Sequence, residues 1–106
     1  MKIVLFRDGR PGVAAKLPGE EPEVELSDLL GGKTKMTPLN ARLILVTLKD
    51  AGELGLGERY AVHRIGREPA PVIGDCAVVA MRPDCSIRDV TIQEVDAALS
   101  YVRVAQ

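Results

Sequence analysis

The sequence predicts an α+β fold, with a small, mostly antiparallel sheet of four to five strands packed on one face by two helices, at about residues 38–51 and 92–104. Short runs of branched apolar residues, separated by glycine and proline, indicate the strands. A capping motif followed by apolar residues at helical spacing indicates the C-terminal helix. A chain of 106 residues suits a single globular domain, residues 1–106, with one core.

The N-terminal third is expected to begin with a hairpin. Asp8-Gly9 tolerates the positive φ angles of a tight turn, and Pro11 lacks the N–H that a strand ladder needs. Two prolines and three glutamates then indicate a solvated loop before the next elements. The expected elements are strands at 2–6 and 13–16, a loop at 17–23, a short strand at 24–26 and one helical turn at 27–32.

The segment before Gly52 admits two interpretations. Thr37-Pro38 is typical of a helix start, because a capping hydroxyl precedes a proline at the first helical position. The apolar residues that follow cover more than one helical face, so this helix would be largely buried. The alternative is a central strand at 42–49, which is rich in β-branched residues. We favour the helix.

The C-terminal half is expected to alternate strands with turns and to end in a helix. A strand is expected at 59–65 because its residues alternate in character, and strands are expected at 72–73 and 76–81 because both runs are apolar and rich in β-type residues. Thr91-Ile92-Gln93-Glu94 matches the capping box, in which the threonine and glutamate side chains each accept from the other residue's backbone N–H. The helix that follows should dock on the sheet.

The charge balance and the lengths of the apolar runs exclude some classes of binding partner. The 14 Lys and Arg balance 15 Asp and Glu, and the basic residues are scattered along the chain, so a nucleic-acid surface is not expected. The N-terminal apolar run is too short for a secretory signal, and no stretch is long enough to span a bilayer. We therefore expect a cytoplasmic protein without a membrane role, with both cysteines reduced.

Cys85 and His63 form the one pairing in this sequence that fits thiol catalysis. Such catalysis needs a thiolate with a base within hydrogen-bond reach. Cys85 follows a turn and has Arg82 and Arg88 near it in sequence, so it is the more plausible reactive thiol of the two cysteines. His63 is expected in a strand, and spacing along the chain does not establish that the two side chains meet.

Cys76, Cys85 and His63 are also the residues able to supply metal ligands. Structural zinc uses four ligands and close pairs such as C-x-x-C, whereas this chain has one histidine and no such pair. We therefore expect no metal and no cofactor, with Cys76 in the core. The glycines within 52–57 follow the expected helix rather than open one, so they do not indicate a phosphate-binding loop.

A winged helix-turn-helix is a further alternative for the middle of the chain. A helix within 37–57 would be its first helix, and the turn around Pro69–Pro71 would form the wing. The recognition helix would then fall at 57–65, whose residues prefer strand. The near-neutral charge also argues against this interpretation.

The first thirty residues contain a set of short motifs, namely Met1-Lys2-Ile3-Val4, Phe6-Arg7, Gly9-Arg10, Gly12-Val13 and Val24-Glu25-Leu26-Ser27-Asp28-Leu29-Leu30. Together they resemble the small N-terminal domain of the fumarylacetoacetate hydrolase family. The resemblance covers under a third of the chain, and that family's metal-binding carboxylates and Gly-Leu-Asn-Tyr segment have no counterpart here. It implies a β-rich N-terminal subdomain without the enzyme.

The function that these observations favour is a non-enzymatic binding or assembly module that acts as a homo-oligomer. The chain lacks a concentrated set of ionisable groups and a cofactor loop, and its apolar fraction of 46% is generous for a lone domain of this size. Its expected partners are a second copy, another protein or a small molecule. The alternatives are a thiol-dependent enzyme using Cys85 with His63, and a winged-helix-like nucleic-acid-binding regulator.

Overall fold

The computed structural model describes residues 1–105 and contains two helices and two antiparallel sheets. The elements run in the order β1 (Lys2–Phe6), β2 (Val13–Lys16), α1 (Pro22–Leu30), β3 (Thr34–Pro38), β4 (Leu43–Leu48), β5 (Glu58–Val62), β6 (Ala70–Ile73), β7 (Cys76–Met81), β8 (Ile87–Arg88), α2 (Ile92–Tyr101) and β9 (Val102–Val104). The predicted α+β class is confirmed.

The main sheet has the strand order β2-β1-β7-β4-β3, and every pairing in it is antiparallel. The short strand β8 pairs with the end of β7, on the same edge of β7 that β1 occupies at its start. Central strands of this sheet are apolar on both faces, since Cys76 to Ala80 have no exposed surface. Both faces must therefore be covered by other elements.

A second sheet, in the order β6-β5-β9, covers part of one face of the main sheet. Its inward residues Tyr60, Val62 and Val72 pack with main-sheet residues such as Phe6 and Leu45 in a single cluster. The Phe6 and Tyr60 rings meet edge to face with centroids 5.5 Å apart. The buried Tyr60 hydroxyl donates to the Arg10 carbonyl at 2.6 Å, so its polar atom is satisfied.

The two helices lie on opposite faces of the main sheet, so the predicted packing of both on one face is wrong. Leu26 and Leu30 of α1 join the cluster of Ile3 and Leu5, whereas α2 places Ala98 in the cluster that contains Phe6. Successive residues of a strand point to opposite faces, so the residues of β1 divide between the two clusters. A sheet with apolar side chains on both faces needs this cover on each side.

The predicted helix at residues 38–51 is wrong, and the alternative strand is correct. This segment forms the end of β3 and the whole of β4, which lies between β3 and β7. Five of the six residues of β4 are buried. The apolar residues that would have covered more than one face of a helix instead cover both faces of a central strand. Pro38 closes the edge strand β3, a position that proline tolerates.

Helix α1 replaces the last two residues of the loop predicted at 17–23 and the strand predicted at 24–26, and it includes most of the helical turn predicted at 27–32. Pro22 stands in its first turn, and Leu26 and Leu30 are spaced four apart, which places both on the buried face. The Glu25 carboxylate accepts from the N–H groups of Gly19 and Glu21 and so closes the N-terminal end. These hydrogen bonds lower the pKa of Glu25.

The C-terminal helix begins as predicted at the capping box but ends earlier, at Tyr101. Val102 and Val104 then pair with Val62 and Tyr60, so the last predicted turn of helix is strand β9. Valine favours strand over helix, and the free edge of β5 supplies hydrogen-bond partners.

Gly12 contacts the buried aromatic pair, and its replacement by alanine is expected to destabilise the fold. An alanine Cβ would overlap Cε2 of Phe6, whose ring is buried against Tyr60. We expect Gly12→Ala to lower the free energy of unfolding by about 1–3 kcal/mol in urea denaturation. Gly57→Ala is the matched control, because a Cβ there has no atom within 4 Å. Equal stability of both variants would contradict the packing described.

The ion pair between Arg88 and Glu94 makes stability depend on acid pH. Two hydrogen bonds of 2.6 and 2.8 Å join the groups, and they are the main reason that the pKa of Glu94 falls to about 2. Because the pKa of Glu94 is lower in the folded chain than in the unfolded chain, its ionised carboxylate stabilises the fold fully above about pH 5. This stabilisation is lost as the pH falls towards 2.

We expect Glu94→Gln to lower the free energy of unfolding by about 1–2 kcal/mol at neutral pH. The difference from the wild type should disappear near the pKa of about 2. Thermal unfolding from pH 7 downwards measures both effects. Glu68→Gln, at an exposed site, is the control and should match the wild type. A constant difference across the pH range would show that the pair does not titrate as described.

Candidate functional site

The structure places the three residues singled out from the sequence in separate environments. Cys76 lies in β7 with no exposed surface, and burial, with the neighbouring Asp75 charge, raises the pKa of its thiol to about 12. A thiol with this pKa stays protonated at neutral pH, so Cys76 is a poor nucleophile and a poor metal ligand there.

Cys85 and His63 line different clefts, so the structure does not bring them together. Cys85 is exposed in the turn between β7 and β8, on the side of the main sheet that α1 covers. His63 follows β5 in the second sheet, and its N–H donates to the Tyr101 carbonyl at 2.7 Å. Within residues 1–105, no three His, Cys, Asp or Glu side chains form a group able to hold a metal ion.

The winged-helix interpretation is wrong as a description of the fold. Its two helices would fall on β4 and β5, and both segments are strands. The glycines within 52–57 belong to the turn that joins those strands. The remaining candidate for a site is a concave surface between the two sheets.

This surface, which we name the inter-sheet cleft, lies where the second sheet leaves the main sheet uncovered. Edge strands β3 and β6 border it, and its volume is about 270 Å³. Its apolar part consists of Leu45, Val62 and Val72, which belong to the core cluster, together with residues of β6 and of the turn after β4. A ligand in this cleft would therefore contact the core directly.

Thr47 is one of the residues that line the inter-sheet cleft, and its hydroxyl has no hydrogen-bond partner within the described chain. The residue is 8% exposed and is the one buried polar residue of the described chain. Its Oγ1 atom is buried without a hydrogen-bond partner. Thr47 shares a face of β4 with Leu45, and β3 brings Lys35 and Thr37 opposite these two residues. Burying an unpaired hydroxyl costs about 1–3 kcal/mol, so this position is destabilising unless another molecule supplies a partner.

Three cations border the same cleft. Lys35 projects from β3, Lys49 follows β4 and Arg64 follows β5. Within residues 1–105, none of the three forms a salt bridge with a carboxylate, in contrast to Arg59 and Arg88. The described lining contains these three cations and no Asp or Glu, although the net charge of the chain is −1.

The cleft offers groups that can hold an anion. Its described lining contains two threonines, three cationic side chains and an apolar floor. The cations can neutralise and orient a negative group.

Sequence reasoning missed this site because its residues are far apart in the chain. One signal was present: Thr47 interrupts the apolar run of residues 43–48. A polar residue within a central strand is unusual, and its position marks where the core meets the cleft. The clustering of Lys35, Lys49 and Arg64 depends on strand pairing, which the predicted helix at 38–51 concealed.

The cost of the unpartnered hydroxyl is measurable. We expect Thr47→Val, in the absence of ligand, to raise the free energy of unfolding by about 1 kcal/mol, because the variant keeps the shape and removes the unpaired polar atom. Thermal or urea unfolding measures this change. Thr34→Val, at a half-buried strand position, is the control and should change stability less. A destabilised Thr47→Val protein would indicate that the hydroxyl already has a partner.

Comparisons with protein families, with curated proteins and with solved structures find no match to this chain. The resemblance of the first thirty residues to the fumarylacetoacetate hydrolase family therefore gains no support and carries no further argument. Among residues 1–105, no helix combines the length and apolar character needed to cross a membrane.

Proposed function

We propose that this protein is a non-enzymatic binding module whose ligand is a small anion with a short apolar body, held in the inter-sheet cleft. The observation that supports this proposal most strongly is the unpartnered Thr47 hydroxyl in a cleft bordered by cations. Because Oγ1 is buried, the Thr47 side chain would have to rotate to turn its hydroxyl towards the cleft, and a ligand that then supplies a hydrogen-bonding group would relieve the cost of the unpaired hydroxyl.

The residues that line the inter-sheet cleft suit an amphipathic anion better than a purely polar ligand. Lys35, Lys49 and Arg64 favour a negative group at one side, and Leu45, Val62 and Val72 favour hydrocarbon at the other. Binding pockets for small molecules commonly combine an apolar surface with a few polar groups in this way. A carboxylate on a short aliphatic chain satisfies both requirements.

The size of the cleft supports a small ligand. Its volume of about 270 Å³ lies just below the range of roughly 300–1,000 Å³ that small-molecule pockets usually occupy. The second sheet and the main sheet form its two walls, so occupancy would couple ligand binding to the packing of the two sheets. Such coupling suits a carrier or a sensor that responds to a metabolite.

The thiol-dependent alternative has no supporting observation, because Cys85 and His63 line different clefts. A cytoplasmic location stays a prediction from the sequence. The expected self-association also stays a prediction, and light scattering at tens of micromolar protein would test it.

Hexanoate and its neutral amide, hexanamide, are a matched pair of probes for the proposed function. We expect hexanoate to raise the melting temperature with increasing concentration, because a ligand that binds the folded state stabilises it by mass action. Hexanamide should have little effect, since it lacks the charge. Inorganic phosphate should also have little effect, since it lacks the apolar body.

Charge removal at the cleft tests where the probe binds. We expect Lys35→Gln/Lys49→Gln to weaken hexanoate binding about tenfold by calorimetry, since two favourable charges are lost. Lys2→Gln/Lys16→Gln removes the same charge at paired positions of β1 and β2, outside the cleft, and should leave the affinity unchanged. Equal responses to hexanoate and hexanamide, or equal affinities for both double variants, would refute the proposed site.

A further inference from the structure

The turn between β5 and β6 presents an isoleucine that the fold does not use. The Arg67 N–H donates to the Arg64 carbonyl at 3.2 Å, and Gly66 has φ +73°, as the third position of a type II turn requires. Ile65 stands at the second position and is fully exposed. We name residues 64–67 the Ile65 turn; it offers an apolar tip with an arginine on each side.

A groove on the other side of the molecule has the complementary character. It lies between the start of α1 and the turn that joins β7 to β8, with a volume of about 650 Å³. Its apolar lining includes Val24, Met36 and Met81, and its charged groups are Glu21 and Glu23. Methionine side chains adapt readily to the shape of an inserted group. We name this surface the acidic groove.

The charged groups of both surfaces lack partners within the chain. Among residues 1–105, Arg64 and Arg67 form no salt bridge, and neither does Glu21 or Glu23. The described lining of the acidic groove contains no lysine or arginine. The two surfaces therefore carry opposite charges, and each also presents apolar side chains.

The two surfaces cannot meet within one chain. Met36 and Ile87 of the acidic groove pack with the cluster on the α1 face of the main sheet, whereas the Ile65 turn extends from the second sheet on the opposite face. Contact between them therefore requires a second copy of the chain. The net charge of −1 leaves little overall repulsion between copies.

We propose that the Ile65 turn of one copy inserts into the acidic groove of a second copy. Ile65 occupies the groove between the methionines, and Arg64 and Arg67 pair with Glu21 and Glu23 at its rim. Because the turn and the groove lie on opposite sides of the molecule, the contact is head-to-tail, and a pair of copies keeps one free turn and one free groove. Arg64 also borders the inter-sheet cleft, so this contact would compete with the ligand proposed there for that side chain. The contact gives the homo-oligomer predicted from the sequence a specific geometry.

Sedimentation velocity at tens of micromolar protein tests the contact. We expect the wild type to associate at low salt and to dissociate at high salt, because salt screens ion pairs at an exposed rim. Ile65→Asp and Glu21→Lys/Glu23→Lys should each be monomeric when studied alone. Ile92→Asp is the matched control, since Ile92 is an exposed isoleucine elsewhere, and this variant should associate like the wild type.

Mixing the two monomeric variants gives the decisive result. Ile65→Asp keeps an intact acidic groove, and Glu21→Lys/Glu23→Lys keeps an intact Ile65 turn, so one working pair of surfaces remains in the mixture. We expect a one-to-one heterodimer that grows no further. A wild type that stays monomeric at low salt, variants that associate like the wild type, or a mixture that stays monomeric would each overturn the proposal. Sedimentation of a monomeric wild type with anionic vesicles would assign Ile65 to a lipid surface instead and would also overturn it.

Discussion

The burial of β7 on both faces is the constraint on which the rest of the structure depends. Residues Cys76 to Ala80 have no exposed surface, so their backbone groups need strand partners on both edges and their side chains need cover on both faces. Strands β1 and β4 supply the first requirement. Helix α1 supplies cover on one face, and α2 with the second sheet supplies it on the other.

The inter-sheet cleft follows from the unequal widths of the two sheets. The second sheet has three strands, whereas the main sheet has six, so one end of the shared core remains open. Thr47 lies at that open end. An apolar residue at this position would extend the core, and a charged residue would have to reach water. The unpaired polar group at this boundary weakens the fold, and under the proposed function it would gain a partner from the ligand.

Local signals predicted only part of the fold. The hairpin at β1 and β2 and the start of α2 follow from Asp8-Gly9 and from the capping box at Thr91, both of which act within a few residues. β4 was mistaken for a helix because its apolar run fits both a buried helix and a strand covered on both faces. Strand β9 was missed because its pairing with β5 joins residues about forty positions apart.

The candidate site was less predictable than the fold, for the same reason. Lys35 and Thr47 become neighbours only through the pairing of β3 with β4, and Arg64 reaches them only through the second sheet. The residues that looked reactive in the sequence, Cys85 and His63, are held apart by that architecture. The residue types in the sequence show which side chains are able to react or to bind. The pairing of strands that are distant in the chain decides which of these side chains share a cleft.

The proposal that an amphipathic anion occupies the inter-sheet cleft beside Thr47 is tested by two-dimensional NMR, with backbone amide chemical shifts followed during titration with hexanoate. We expect the largest shifts to cluster in β3, in the end of β4 and in β6, and we expect Thr47→Val to reduce them. Shifts confined to the groove beside Cys85, or spread evenly over the surface, would contradict it.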